Sequence, residues 1–347
     1  MLMNKESSSL DNQSAIQDPR LEQIKQWLEV ELNIQNYQIQ VASADASFRR
    51  YFRLIVNQAG KTERFIIMDA PPEKENCEPF LNIARLIEGA EVQAPHIYNF
   101  NSAQGFMRLS DLGSTAYLDQ LNNDAVDQLY SDAIQAIVKM QSIQSDLPAY
   151  NNALLQTEMN LFTDWYLGKH LDIQLNASQQ MVLSATHKLL IDSALQQPSV
   201  FVHRDYHSRN LMVTPQHNPG VIDFQDAVMG PASYDLVSLI KDCYIAWPRA
   251  KQLQWIEEFI AVSELALDAD SFIKQVDLMG MQRHLKATGI FARLNYRDAK
   301  PGYMHDIPRT MAYVFDVCQR YAELNDFAML LAETGLHAET DCLERIQ

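Results

Sequence analysis

The stretch "HRDYHSRN", residues 203–210, is entered through the apolar "FV" and left through "LMV". Eighteen residues after Asp205 comes a second stretch, "VIDFQDA" (221–227), which carries Asp223 behind another apolar run. Short apolar runs of this kind read as strands. Two short strands place the loop between them at a rim, open on one side. Asp205, Asn210 and Asp223 can then converge as three oxygen-bearing groups. Carboxylate and amide oxygens are hard ligands suited to Mg²⁺, which takes few protein ligands and completes its shell with phosphates. A carboxylate left uncoordinated can accept a proton from an attacking hydroxyl.

That is the division of labour in kinase phosphoryl transfer: Asp205 as base, Asn210 and Asp223 on the metal. An H-R-D triplet alone arises readily by chance. H-R-D-x-x-x-x-N between β-like runs, with a strand-borne D-F 13 residues after the Asn, is far more specific. His203 is read as a brace of the loop rather than a catalyst. His207 and Arg209 stay open, Arg209 between phosphate contact and solvent. Asp226 is either a second carboxylate near the metal or a turn residue.

The bulk composition fits this reading. At 347 residues the chain can hold two lobes with a substantial core. A hydrophobic content of 47% and a charged content of 21% are ordinary for a globular protein. The net charge of −16 disfavours nucleic-acid and anionic-membrane binding, both of which reward positive surface. No window is long and apolar enough for a membrane span. Residues 1–18 are polar, lack the apolar core of a signal peptide, and read as a disordered lead-in. Cys77, Cys243, Cys318 and Cys342 are scattered without a C-x-x-C pair, so the simplest home is the reducing cytoplasm.

Along the chain, "DPRLEQIKQWLEVEL" begins as a helix with one apolar face. "YQIQVA", "FRRYFRLIVN", "RFIIMDA", "HIYNF" and "GFMRLSDLG" read as strands, with the helical "EPFLNIARLIEGA" among them. Residues 123–145, 157–171 and 176–197 carry helical periodicity, residues 198–228 short strands and loops, and nearly everything from 233 onward reads as helix. The β content thus precedes the helices, which predicts an α+β chain: an N-lobe over 19–112 and a helical C-lobe over 113–347.

"VFVHRDYHSRNLMV" and "GVIDFQDAVMGPASYDLVSLIKD" resemble the aminoglycoside phosphotransferase family. The resemblance implies a protein-kinase-like bilobal fold, with a small antiparallel sheet in the N-lobe, and use of ATP and Mg²⁺. It also implies that Asp235 braces the catalytic loop; without the resemblance Asp235 is a first-turn acid on an amphipathic helix. "SADASFRRYFRL" lies where a kinase's Gly-rich loop would cover the phosphates, yet it holds no glycine. Ser43 and Ser47 are small, and Ser47, Arg49 and Arg50 can donate to phosphate. The third strand departs from the pattern as well, with Met68 or Asp69 where a kinase presents a lysine. Arg49, Arg50 and Lys74 are the candidates to replace that charge. "GFMRLSDLG" resembles the strand and hinge whose backbone, here Arg108–Asp111, would bond the adenine edge.

Substrate choice needs a further signal. Residues 281–310 hold six Lys/Arg against two Asp, a local +4 in an acidic chain. Arg283, Lys286, Arg293 and Arg297 form one helical stripe. Such stripes are usually solvated faces; here the stripe also argues against a polycationic substrate. This segment, with "ADASFRRYF" and "MDAPPE", is similar to the bacterial kinases that phosphorylate N-acetylmuramate and N-acetylglucosamine at the anomeric position in peptidoglycan recycling. The resemblance implies a small-molecule sugar partner, with Arg283, Arg293 or Arg297 pairing the lactyl carboxylate of N-acetylmuramate. Two alternatives stay open. One is a kinase for another alcohol, such as choline in an aromatic cage of Trp165, Tyr166 and Trp247, or an aminoglycoside. The other is a non-catalytic, kinase-like binding protein.

Overall fold

The computed structural model describes residues 18–44, 48–58, 60–336 and 343. Of the lead-in expected over 1–18, only Asp18 falls within them. The chain divides into two compact units: Met1–Cys77 with Ile97–Asp111, and Glu78–His96 with Leu112–Gln347.

In the first unit, α1 (Pro19–Gln26) begins on Asp18, whose carboxylate accepts the amides of Arg20 and Leu21 at 3.1 and 3.2 Å. Proline at the first helical position needs no amide partner there. The helix runs on through a π-helical turn, Trp27–Glu31. Five antiparallel strands follow: β1 (Tyr37–Ala44), β2 (Arg50–Gln58), β3 (Lys61–Asp69), β4 (Ile97–Asn101) and β5 (Phe106–Ser110), in the order β1-β2-β3-β5-β4. Register pairs Arg50 with Asp69, Phe52 with Ile67 and Leu54 with Phe65.

Alternation along β2 sorts its side chains. Phe52, Leu54 and Val56 join Ile24, Trp27, Leu28, Ile67 and Phe106 in a core beneath α1. Tyr51, Arg53 and Ile55 take the other face. The turn from β4 to β5 approaches the end of β3 so closely that a Cβ on Gly105, at φ +72°, would overlap the carbonyl of Ala70.

The second unit begins with α2 (Glu78–Gly89). It buries Phe80, Leu81, Ile83, Ala84 and Ile87 on one face. The ring of Phe80 lies 4.9 Å from that of Phe224, and Gln93 bridges to Gly220. Those contacts draw α2 into the helical unit, whereas sequence order grouped it with the sheet. The rest comprises α3 (Tyr117–Gln120), α4 (Val126–Gln141), α5 (Asn152–Leu161), α6 (Ala177–Leu195), α7 (Tyr234–Ile240), α8 (Arg249–Val262), α9 (Ala269–Asp298), α10 (Ile307–Arg320) and α11 (Asn325–Glu333). A π-helical segment, Phe162–His170, continues α5.

The long helix α9 packs on α5, α6, α7 and α10, and is buried nearly all round from Val276 to Ala292. A helix enclosed on every side is a core helix. Gly289 permits the close crossing, because a Cβ there would overlap the backbone of Leu161. Its charged residues therefore enter the interior and must find partners there.

Candidate active site

Two small two-stranded antiparallel sheets hold the 203–210 loop. β6 (Ser199–Val202) pairs with β9 (Val228–Pro231), and β7 (Leu211–Met212) with β8 (Gly220–Val221). Residues 203–210 link β6 to β7, and Asp223 follows β8. The backbone is left-handed at Arg204 (φ +77°) and Asp223 (φ +64°). A side chain is costly there, and such conformations survive where the surroundings over-determine them.

The over-determination is visible. Asp235, buried at the start of α7, accepts the amides of His203 and Arg204 at 2.7 and 3.0 Å. Asp242, also buried, accepts the amide and hydroxyl of Ser208 at 2.9 and 2.5 Å and the amide of Tyr244 at 2.9 Å. His203 donates from Nε2 to the carbonyl of Ile222 at 3.0 Å and accepts the Asp205 amide on Nδ1 at 3.2 Å. Burial pushes this imidazole down to about 4, so it is neutral and joins the loop to β8. A third buried acid, Glu158 on α5, receives Arg204 and Tyr150, Lys286 at 3.0 Å and Gln282 at 3.3 Å.

Asp205 is the opposite case. Among the described residues, nothing donates a hydrogen bond to its carboxylate. Burial raises its pKa, but Lys286 foremost, with Arg283 also contributing, outweighs burial and holds the group below the ordinary aspartate value. Asn210 donates from Nδ2 to the carbonyl of Asp205 at 3.0 Å and toward Asp223 Oδ2 at 3.3 Å. Gln225 donates to Asp223 Oδ1 at 2.9 Å. The structure thus gathers Asp205, Asn210 and Asp223 at one place.

Residues left open by sequence are also located. Asp226 is exposed and accepts Arg204 on its backbone carbonyl at 3.2 Å. The guanidinium of Arg209 lies 3.5 Å from the centroid of the Tyr244 ring. His207 stands edge-on to that same ring.

These groups suit a magnesium ion bound together with phosphates. With Nδ2 of Asn210 engaged, its amide oxygen is the ligating atom left beside the Asp223 carboxylate. Among the described residues no three His, Cys, Asp or Glu side chains gather as a metal cage. Two protein oxygens completed by phosphate oxygens is the arrangement Mg²⁺ favours.

The cationic stripe on α9 divides by depth. Arg297 is exposed and pairs with Asp298 at 2.8 Å; Arg293 is half-buried. Lys286 is buried on Glu158 and the Tyr234 hydroxyl, the latter at 3.1 Å. Arg283 is 6% exposed, and among the described residues its side chain hydrogen-bonds only Cys243 Sγ, at 3.8 Å. It lies within Coulombic reach of Asp205. The aromatic cage is not assembled, because Trp247 is fully buried against Tyr130 and Trp255.

In the sheet unit, Ser47 lies outside the described residues and Ser43 is placed by its backbone in β1. Arg49 pairs with Glu75 at 3.2 Å. Arg50 spans Asp18 and Asp69, and Asp69 also receives Arg20. Arg108 lies over the rings of Phe65 and Tyr98, and Asp111 receives Arg53 bidentately at 2.6 and 3.0 Å.

Sequence reasoning missed Asp242 and Glu158. Asp242 lies two residues beyond the end of α7, in the loop that follows it, and no periodicity marks it. Glu158, 46 residues before Arg204, had no signal either.

Comparison with known proteins follows the same lines. The model of the "Phosphotransferase enzyme family" matches residues 38–271. The chain is 44% identical over 333 residues to the N-acetylmuramate/N-acetylglucosamine kinase of Pseudomonas putida, spanning 91% of this chain and 97% of that protein. The protein of the same name from Pseudomonas aeruginosa is 43% identical over 305 residues, 86% and 89% of the two chains. Among solved structures, Plasmodium vivax ethanolamine kinase superposes with a TM-score of 0.63 at 12% identity, covering 88% of this chain and 91% of that one. An ADP-bound aminoglycoside phosphotransferase gives 0.57 at 12% identity, over 85% and 98%. At such identity the likeness is one of fold, and the fold is protein-kinase-like.

Proposed function

Because the chain belongs to the phosphotransferase enzyme family, we propose that it transfers the γ-phosphoryl group of ATP to the C1 hydroxyl of N-acetylmuramate and N-acetylglucosamine. The products are the sugar 1-phosphate and ADP, and the reaction serves peptidoglycan recycling. One observation supports the reading: Asn210 ties the backbone of Asp205, whose carboxylate accepts no hydrogen bond among the described residues, to Asp223 through a single amide group.

In this mechanism Asp205 accepts the C1 hydroxyl proton as that oxygen bonds to the γ-phosphorus and the bond to ADP breaks. Holding Asp205 ionised at neutral pH is the task of Lys286 and Arg283. A positioned general base of this kind contributes roughly 10²–10⁴-fold. The Asn210 amide oxygen and the Asp223 carboxylate would hold Mg²⁺, whose charge would offset that of the phosphates. Asp235, Asp242 and His203 keep the loop in its left-handed conformation.

Arg283 supports a carboxylate-bearing sugar. Among the described residues no carboxylate hydrogen-bonds this buried guanidinium; leaving such donors unmet is costly, and the lactyl carboxylate of N-acetylmuramate would meet them. The test is ADP release across N-acetylmuramate, N-acetylglucosamine, their methyl glycosides, glucose, choline and kanamycin. Turnover is expected with the two free sugars and absent with the methyl glycosides, whose C1 oxygen has no proton to give. Phosphorylation of a methyl glycoside would overturn the anomeric assignment.

A further inference from the structure

Kinases place a lysine on the third strand, oriented by a glutamate, to hold the nucleotide phosphates. Here β3 offers nothing equivalent. Met68 is fully buried between Tyr51 and Met107 on the neighbouring strands. Asp69 carries the wrong sign and is occupied by Arg20 and Arg50. Nor is Arg50 available as the substitute. It is paired in register with Asp69, and it bonds Asp18, the cap of α1. Two arginines and two aspartates close into a neutral cluster on the helix-covered side of the sheet. Arg53 is engaged bidentately by Asp111, and Arg108 lies over two aromatic rings.

Arg49 differs in both place and partner. It stands one residue before Arg50, in the loop that enters β2 rather than in the strand itself. It is only 7% exposed and pairs with Glu75 at 3.2 Å. The other oxygen of Glu75 accepts the amide of Phe48 at 3.1 Å. Glu75 itself is fixed in the turn after β3, where its amide bonds the carbonyl of Pro71 at 2.9 Å. One carboxylate therefore sets both a buried guanidinium and the backbone at the entry to β2. Lys74 reinforces the arrangement, 4.7 Å from the Phe48 ring centroid. A carboxylate orienting a cation is the chemistry of the kinase Lys–Glu pair, moved from β3 to the loop before β2.

We propose that Arg49, oriented by Glu75, is the phosphate-binding cation that replaces the strand-borne lysine, for the α- and β-phosphates of a nucleoside di- or triphosphate. The assignment rests on the reading of the chain as an ATP-dependent kinase. Calorimetric titration with MgADP and with adenosine tests it on the full chain. Arg49→Met is expected to weaken MgADP at least tenfold while adenosine binds as in the wild type. Arg49→Lys should recover most of the loss, and Glu75→Gln should weaken MgADP by a smaller factor. Unchanged MgADP affinity in Arg49→Met would overturn the proposal. Equal loss of MgADP and adenosine would do so too, since Arg49 would then be supporting the fold rather than the phosphates. A wild-type chain that binds neither ligand would instead overturn the nucleotide reading, and this assignment with it.

Discussion

Glu158→Gln keeps the shape of the side chain and removes its charge from a site where two cations depend on it. Glu158 is 5% exposed; the side chains of Arg204 and Lys286 are 18% and 10% exposed. Removing one partner of a buried ion pair costs about 3–5 kcal/mol, because the other charge is stranded. Arg204 retains the carbonyl of Asp226 and a position 5.7 Å over the Tyr150 ring, and Lys286 retains the Tyr234 hydroxyl. Those contacts favour the lower figure, about 3 kcal/mol. With a urea m-value of about 3 kcal/mol per molar, the unfolding midpoint should fall by roughly 1 M. The double variant Glu158→Gln/Lys286→Met removes one of the stranded cations as well. It should lose less than the two single variants added together, by about 1 kcal/mol or more, since residues in contact couple. Turnover should fall too, because Arg204 precedes Asp205 and small displacements at a reacting centre cost up to about 10²-fold. A midpoint unmoved in Glu158→Gln, together with simple additivity in the double variant, would refute this account of the network.

Asp205→Asn should lower kcat by about 10² or more while MgADP still binds, as judged by steady-state kinetics and calorimetry; near-normal turnover would end its role as base. Arg283→Ala should depress kcat/KM for N-acetylmuramate relative to N-acetylglucosamine by about 10–100-fold, the scale of a charge-assisted hydrogen bond of about 1.5–3 kcal/mol; an unchanged ratio would remove Arg283 from carboxylate recognition. Burial works to raise Glu158, but Lys286 and Arg204 hold it below the ordinary glutamate value. A depressed folded pKa adds stability that is present above the unfolded value, near 4.3, and lost as pH falls through the folded one. Stability should therefore drop more steeply below about pH 4.3 in the wild type than in Glu158→Gln, measured by urea unfolding across acid pH.

The sheet was legible because each strand carries its own local signal. "YFRLIV" and "FIIM" are β-branched and aromatic runs with the period of a pleat, and β2 and β3 form where those runs lie. The gathering of Asp205, Asn210 and Asp223 was legible for a different reason: two of them lie five residues apart in one loop, and the third follows the short strand that pairs with the strand leaving it. What escaped depends on contacts between distant segments. The depth of the α9 stripe follows from what packs on α9, and no periodicity in its own residues separates buried Arg283 from exposed Arg297. Arg49 and Arg50 looked interchangeable as neighbours in sequence. Arg50 opens β2, and register with Asp69 commits it to the α1 side, whereas Arg49 precedes the strand and pairs with Glu75.

The acids of the helical unit separate by how many donors they satisfy. Asp235 holds two backbone amides, Asp242 holds three donors on the loop and its flank, and Asp277 holds Lys241, Arg249 and the Tyr321 hydroxyl. Carboxylates so enclosed have their lone pairs committed, and they act as fixed points. Asp205 follows the two residues whose amides Asp235 holds, and yet its carboxylate receives no donor among the described residues. Arg283 repeats the pattern with opposite sign, since Lys241, Lys286 and Arg204 each have a carboxylate and Arg283 has a thiol. Evolution toward stability alone would pair such groups or replace them with apolar ones, because stranded buried charge is destabilising. A base must keep a lone pair for its proton and a receptor must keep donors for its anion; among the described residues Asp205 and Arg283 meet those two requirements, which is what the proposed reaction asks of them.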